Sequence, residues 1–157
     1  MVELKIINQN IKIIHYSDLD NVSSCLISNS VIDTINFDLF DANIEIIIEN
    51  CIINNLLIHE CWFRKGLLFK NNNVLNYIDY QMGGHNKKPI KFIGNVFNEF
   101  VNFFDCQFDS FIELDNNIFT KGTNLLGNKD EGFKNTFTNE IILLNNIGNL
   151  YIDGLGR

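Results

Sequence analysis

The residues able to do chemistry in this 157-residue chain are three histidines, four cysteines and 19 carboxylates. The cysteines, Cys25, Cys51, Cys61 and Cys106, raise metal and redox chemistry first. No CxxC pair occurs, and gaps of 26, 10 and 45 residues match no zinc module, so no metal and no cofactor are expected. Each cysteine instead lies two places before an apolar residue (Ile27, Ile53, Phe63 and Phe108), the phase of a small buried side chain. The start, Met1-Val2-Glu3-Leu4-Lys5, lacks the segments of a signal peptide, which implies a cytoplasmic chain with free thiols.

His59 and Cys61 stand two apart, which on a strand would turn both to one side and suggest a nucleophile pair. The competing reading is a solvated histidine at a corner beside a core cysteine. The acids Asp105, Asp109, Glu113 and Asp115 recur closely enough to line one face. Glycoside hydrolysis would need two of them roughly 5 to 9 Å apart. Gly83-Gly84-His85-Asn86-Lys87-Lys88 has the glycines and lysines of a phosphate loop, without the Gly-Lys-Ser/Thr ending or a following helix. Trp62, Phe100, Phe104 and Phe111 lie off the main apolar rhythm, and Phe100 and Phe111 would stack if they shared a column.

The elements that must carry these residues are written in the composition. The chain has 26 Asn, 24 Ile and 14 Phe against one Ala, poor material for helices and good material for strands joined by turns. No apolar run approaches the roughly 20 residues of a spanning helix, so no membrane partner is expected. Charge is banded. Residues 1–60 carry a net −7, residues 61–91 a net +5 and residues 92–157 a net −5. Such bands become regions of surface only if sequence order maps onto position, as in a solenoid.

The rhythm supplies that mapping. Phe92, Phe97, Phe103, Phe108, Leu114, Phe119 and Leu125 alternate spacings of 5 and 6, and Ile47, Ile52, Ile58, Phe63, Phe69, Val74 and Tyr80 repeat them upstream. Phe137 and Leu143 resume the beat near the end. Helical periodicity would require spacings of 3 and 4. Short strands fit, with pairs such as Val101 and Phe103 on one side and Asn-rich turns between, where asparagine tolerates left-handed backbone and its stacked amides can form ladders. The small residue two places before each core residue resembles the pentapeptide-repeat family, over roughly Cys25 to Leu144. That resemblance, or a right-handed parallel β-helix of another lineage, implies an all-β solenoid.

Two 11-residue halves give about 22 residues per coil and about seven coils in one domain, a rod of roughly 30 to 35 Å. Residues 1–24 are expected to cap it, and residues 81–91 and 127–135 to leave it as inserted loops. Binding residues concentrate on such loops, which makes His85, Lys87 and Lys88 on the first, Lys129, Asp130 and Glu131 on the second, and Trp62 beside them the candidate site. The expected role is a non-enzymatic protein-interaction or scaffold module, with a protein partner, possible homodimerisation through a solenoid end and no direct nucleic-acid binding. The alternatives are a small carbohydrate-active β-helix enzyme and, as the family resemblance implies, an acidic DNA mimic that binds a topoisomerase.

Overall fold

The computed structural model describes residues 2–130 and 132–154. Runs of β-branched residues broken by asparagine build short strands that stack in chain order. Val2–Ile7, Val22–Ser28, Glu45–Glu49, Leu67–Lys70, Ile90–Ile93, Ile112–Asp115 and Ile142–Leu144 form one seven-stranded parallel sheet, the first face. Asn10–His15, Val31–Asn36, Ile52–Leu57, Asn73–Val74, Val96–Phe97 and Ile118–Phe119 stack as the second. Asp41–Ala42 pairs with Trp62–Phe63, Gly84 bridges Trp62 and Gln107, and Gln107–Phe108 pairs with Thr136–Phe137 on a further face. The molecule is a parallel β-solenoid of about six turns. No helix among the described residues is long and apolar enough to cross a membrane.

Register sets the coil length. Cys25 lies beside Ile46 and Ile46 beside Leu67, a repeat of 21, and later turns are slightly longer, with Leu67 beside Ile90 and Ile90 beside Ile112. The last turn, from Glu113 to Ile142, absorbs the insertion around 127–135. Residues 81–91 stay within the wall, since Gly84 bridges both neighbouring coils and Ile90 opens a strand. Their glycines answer to close packing: a Cβ on Gly83 would collide with the Tyr80 ring, and one on Gly84 with the Gln107 carbonyl. The segment expected as a cap is itself the first rung, because Val2–Ile7 pairs with Val22–Ser28 and Asn10–His15 with Val31–Asn36.

All seven apolar residues of the clearest rhythm, Phe92 to Leu125, are 3% exposed or less. Upstream the beat holds at Ile58, Phe63, Phe69, Val74 and Tyr80 and fails at Ile47 and Ile52, which face outward while Ile46, Ile48 and Ile53 fill the core. A run of isoleucines offers an apolar residue in either phase, so spacing alone picks the wrong members. Phe100 and Phe111 do not form a column, because eleven residues is half a coil. Phe100 stacks on Tyr77 at 6.4 Å, and Phe111 is exposed.

Asparagine earns its abundance at the corner between the first two faces. Asn8, Asn29, Asn50, Asn71, Asn116 and Asn145 take left-handed φ between 50° and 56°, with Gly94 in the same column. The next residue in each later coil is a buried amide that bonds along the rod. Asn95 Nδ2 donates to the Phe69 carbonyl at 2.8 Å and to Asn117 Oδ1 at 2.9 Å, while its own Oδ1 accepts the Asn72 amide at 2.9 Å. Asn117 repeats the pattern with Phe92 and Asn146. Coil is thereby tied to coil through buried amides with both ends satisfied.

Candidate functional site

Alternation along the first face turns Leu67, Phe69, Ile90 and Phe92 inward and leaves Leu68, Lys70, Lys91 and Ile93 outward. With Ile47 above and Lys65 and Lys88 at the adjoining corner, these line an open groove of about 710 Å³. Four lysines thus ring an apolar floor of Ile47, Leu68 and Ile93. Lys91 is paired with Glu113 at 2.8 Å, whereas no ion pair within the described residues holds Lys65, Lys70 or Lys88. Four of the six bases in the net +5 block, Lys65, Lys70, Lys88 and Lys91, converge on this face, since residues 61–91 fill adjacent coils.

Around the corner the same block builds a ladder. The Arg64 guanidinium lies 4.6 Å over the Trp62 ring and bonds Asp41 through Nε at 2.7 Å and Nη2 at 3.2 Å. That Asp41 hydrogen bond raises the Arg64 pKa further above its ordinary value. The His85 ring meets Trp62 edge-on at 4.7 Å, and its Nδ1 lies 3.5 Å from Asp109 Oδ2. Asp41, Arg64, Trp62, His85 and Asp109 therefore link four consecutive coils and brace the wall.

The residues singled out by sequence fall in several places. Trp62 and His85 belong to this ladder, Lys88 to the groove, and Lys87 is exposed beside it, its amide donating to the Arg64 carbonyl. Lys129 and Asp130 line a separate hollow of about 320 Å³ with Tyr151, over whose ring Lys129 Nζ lies at 5.7 Å. Glu131 lies outside the described residues. Lys65, Lys70 and Lys91, with the apolar floor between them, were missed by motif reading. Their signal was the positive block combined with the outward half of each strand.

Nucleophilic chemistry finds no accessible thiol among the four cysteines, all of which are free and buried. Burial raises the Cys25 thiol from 9.0 to about 12 and pushes Cys51, Cys61 and Cys106 up as well. His59 and Cys61 are parted by Glu60, whose φ of 50° turns the chain, so His59 faces Asp79 and Glu60 outside while Cys61 enters the core. Of the four acids, Glu113 and Asp115 lie two apart on the outward side of one first-face strand, whereas Asp109 faces His85 and Asp105 holds a left-handed corner. Among the described residues no group of three or more His, Cys, Asp or Glu side chains is placed to hold a metal ion. Fold and surface define the class, a parallel β-solenoid with one lysine-edged face. No protein family, curated protein or solved structure matches the chain.

Proposed function

We propose that this solenoid is a non-enzymatic protein-interaction module whose docking surface is the lysine-edged first face. The observation that carries the reading is the groove itself, an apolar floor at Ile47, Leu68 and Ile93 with Lys65, Lys70, Lys88 and Lys91 around it. Apolar contact would supply affinity there, and the charged rim, with Glu45 beside the lysines, would choose a partner whose matching surface carries the complementary charges. The positions of the reactive groups favour binding over catalysis: the thiols face the core, and of the clustered acids only Glu113 and Asp115 share a face, Glu113 being paired with Lys91. Kinship with pentapeptide repeats is supported by the small residue two places before a buried one at Cys25, Cys51, Cys61 and Cys106.

A photo-activatable benzophenone side chain in place of Leu68, compared with one in place of Ile118 on the second face, tests the surface. In extracts of the source organism at low salt, the Leu68 site should give a discrete protein adduct that ~0.5 M salt suppresses. Adducts of equal yield from both sites, or none from Leu68, would reject the reading.

A further inference from the structure

The first face carries both halves of a complementary pattern. Its residues in the outward phase, Ser28 and Gly66 among them being buried, stack in three columns, read from the registers of successive strands and carried one residue further at Gly66, Pro89 and Phe111. The starting column runs Glu3, Ser24, Glu45, Gly66, Pro89 and Phe111, the middle one Lys5, Leu26, Ile47, Leu68, Lys91 and Glu113, and the last Ile7, Ser28, Glu49, Lys70, Ile93 and Asp115. The third rung therefore presents Glu45, Ile47 and Glu49, and the fourth presents Leu68 and Lys70, with Lys65 beside Gly66. Acid, apolar, acid lies next to base, apolar, base.

Resting on the docking role of this face, we propose that its occupant is a second copy of the chain, related by a two-fold axis parallel to the strands and passing between the third and fourth rungs. Such an axis reverses the order of rungs and keeps the columns. Glu49 of one copy meets Lys70 of the other, Glu45 meets Lys65, and Ile47 packs on Leu68, each contact occurring twice. One rung further out Leu26 covers the stem of Lys91, and beyond that Lys5 faces Glu113, each already paired within its own chain, with Glu3 and Lys91 respectively.

Two other two-fold arrangements of the same face are repulsive, and an axis one rung earlier, which sets Glu45 on Ser24 and Glu49 on Ser28, leaves both acids without a base. An axis along the rod would exchange the outer columns and set Lys70 against Lys65 and Glu45 against Glu49. An axis one rung later would bring Glu49 onto Asp115 and leave Leu68 over Lys91. Within one chain Glu49 and Lys70 are neighbours in register, yet no ion pair joins them; Glu49 instead accepts from the Ser28 hydroxyl at 3.4 Å. Both charges are thus available to a facing copy.

The size of the surface sets the strength. Six rungs at ~4.8 Å and five residues at ~3.3 Å give roughly 500 Å² per copy, the low end of specific interfaces, so a dissociation constant in the micromolar range is expected. Charge reversal provides the test, read by sedimentation velocity from ~1 to ~300 µM in ~50 mM salt. The unaltered protein should pass from monomer to dimer across that range. Lys70→Glu alone and Glu49→Lys alone should each weaken association at least ~10-fold, and the two together should restore it to within ~3-fold, since the swapped charges again face each other.

A protein that stays monomeric to ~300 µM, or single reversals that leave association unchanged, would overturn the second copy as occupant. A double variant no stronger than either single would do the same. A monomer whose Leu68 adduct contains a different protein would overturn only the occupant. No Leu68 adduct at all would remove the docking role with it.

Discussion

Up to about residue 60 the buried centre of the rod is mainly isoleucine: Ile14, Ile27, Ile32, Ile35, Ile46, Ile48, Ile53 and Ile58. Beyond it phenylalanine is the commonest core residue, at Phe63, Phe69, Phe92, Phe97, Phe103, Phe108 and Phe119. The wall changes at the same place. In the earlier coils the second face is a continuous six-residue strand, as in Val31–Asn36 and Ile52–Leu57, whereas the next coils break it into Asn73–Val74 with Ile78–Asp79 and Val96–Phe97 with Val101–Asn102. The corner residue also changes, from Ser30 and Cys51 to Asn72, Asn95 and Asn117. An extra bend lengthens the perimeter by one or two residues, and the larger rings fill the added section while stacking along the rod, as Phe97 does on Phe119 at 5.0 Å. One fold thus has two fillings, and wall shape follows side-chain volume and corner chemistry together.

The comparison can be broken by substitution, most severely in the aromatic half. Phe97→Ala should cost about 4 kcal/mol in urea unfolding and Ile53→Ala, its counterpart on the same inward column, about 3 kcal/mol. A smaller loss at Phe97 than at Ile53 would show that the aromatic stack adds nothing beyond volume. At the corner, Asn95→Ala removes a buried amide with partners on both neighbouring coils and should cost about 3 kcal/mol, whereas Ser30→Ala should cost about 1 kcal/mol. Equal losses would remove the distinction between the two corners.

Alkaline pH should weaken both halves alike, because each holds buried thiols. In the unfolded chain a cysteine ionises near 9.0, while folded Cys25 holds its proton to about 12, so the native state binds more protons between those values and stability falls as pH rises through that window. The slope is about 1.4 kcal/mol per pH unit for each such thiol. Urea midpoints at pH 8 and pH 10 should differ accordingly, and Cys25→Ala should reduce the difference; an unchanged difference would contradict a buried, protonated Cys25. The smallest effect on stability is expected from Lys70→Glu, within about 0.5 kcal/mol, since Lys70 is exposed and forms no ion pair among the described residues. Its consequence lies in association.

The aromatic half was legible in the sequence because each phenylalanine stands alone among polar residues, and its phase is unambiguous from Phe92 to Leu125. The isoleucine half was legible only as strand, since Ile46-Ile47-Ile48 is apolar in both phases. Corners held by asparagine could be read from its turn chemistry. Those held by Leu39, Glu60 and Met82, with φ between 50° and 61°, could not, because nothing in those side chains favours left-handed backbone, whereas Asp105 shares part of asparagine's tolerance for it. The lysine-edged face was half visible. The positive block marked the residues, but which lysines converge depends on register between coils, and that is set by hydrogen bonds between strands some 21 to 23 residues apart. Trp62 and His85, singled out as binding residues, lie against Arg64 and Asp109, contacts that the sequence did not show.

If the lysine-edged first face docks a second copy of the chain, the contact should be visible residue by residue. Amide chemical shifts followed by NMR from ~10 to ~500 µM at low salt test it most directly. Concentration-dependent shifts should be confined to Lys5, Leu26, Glu45–Glu49, Lys65, Leu67–Lys70, Lys91 and Glu113, and salt should reverse them. Shifts confined to the second face at Val31, Ile52 and Ile118, or to Trp62 and His85, would contradict it.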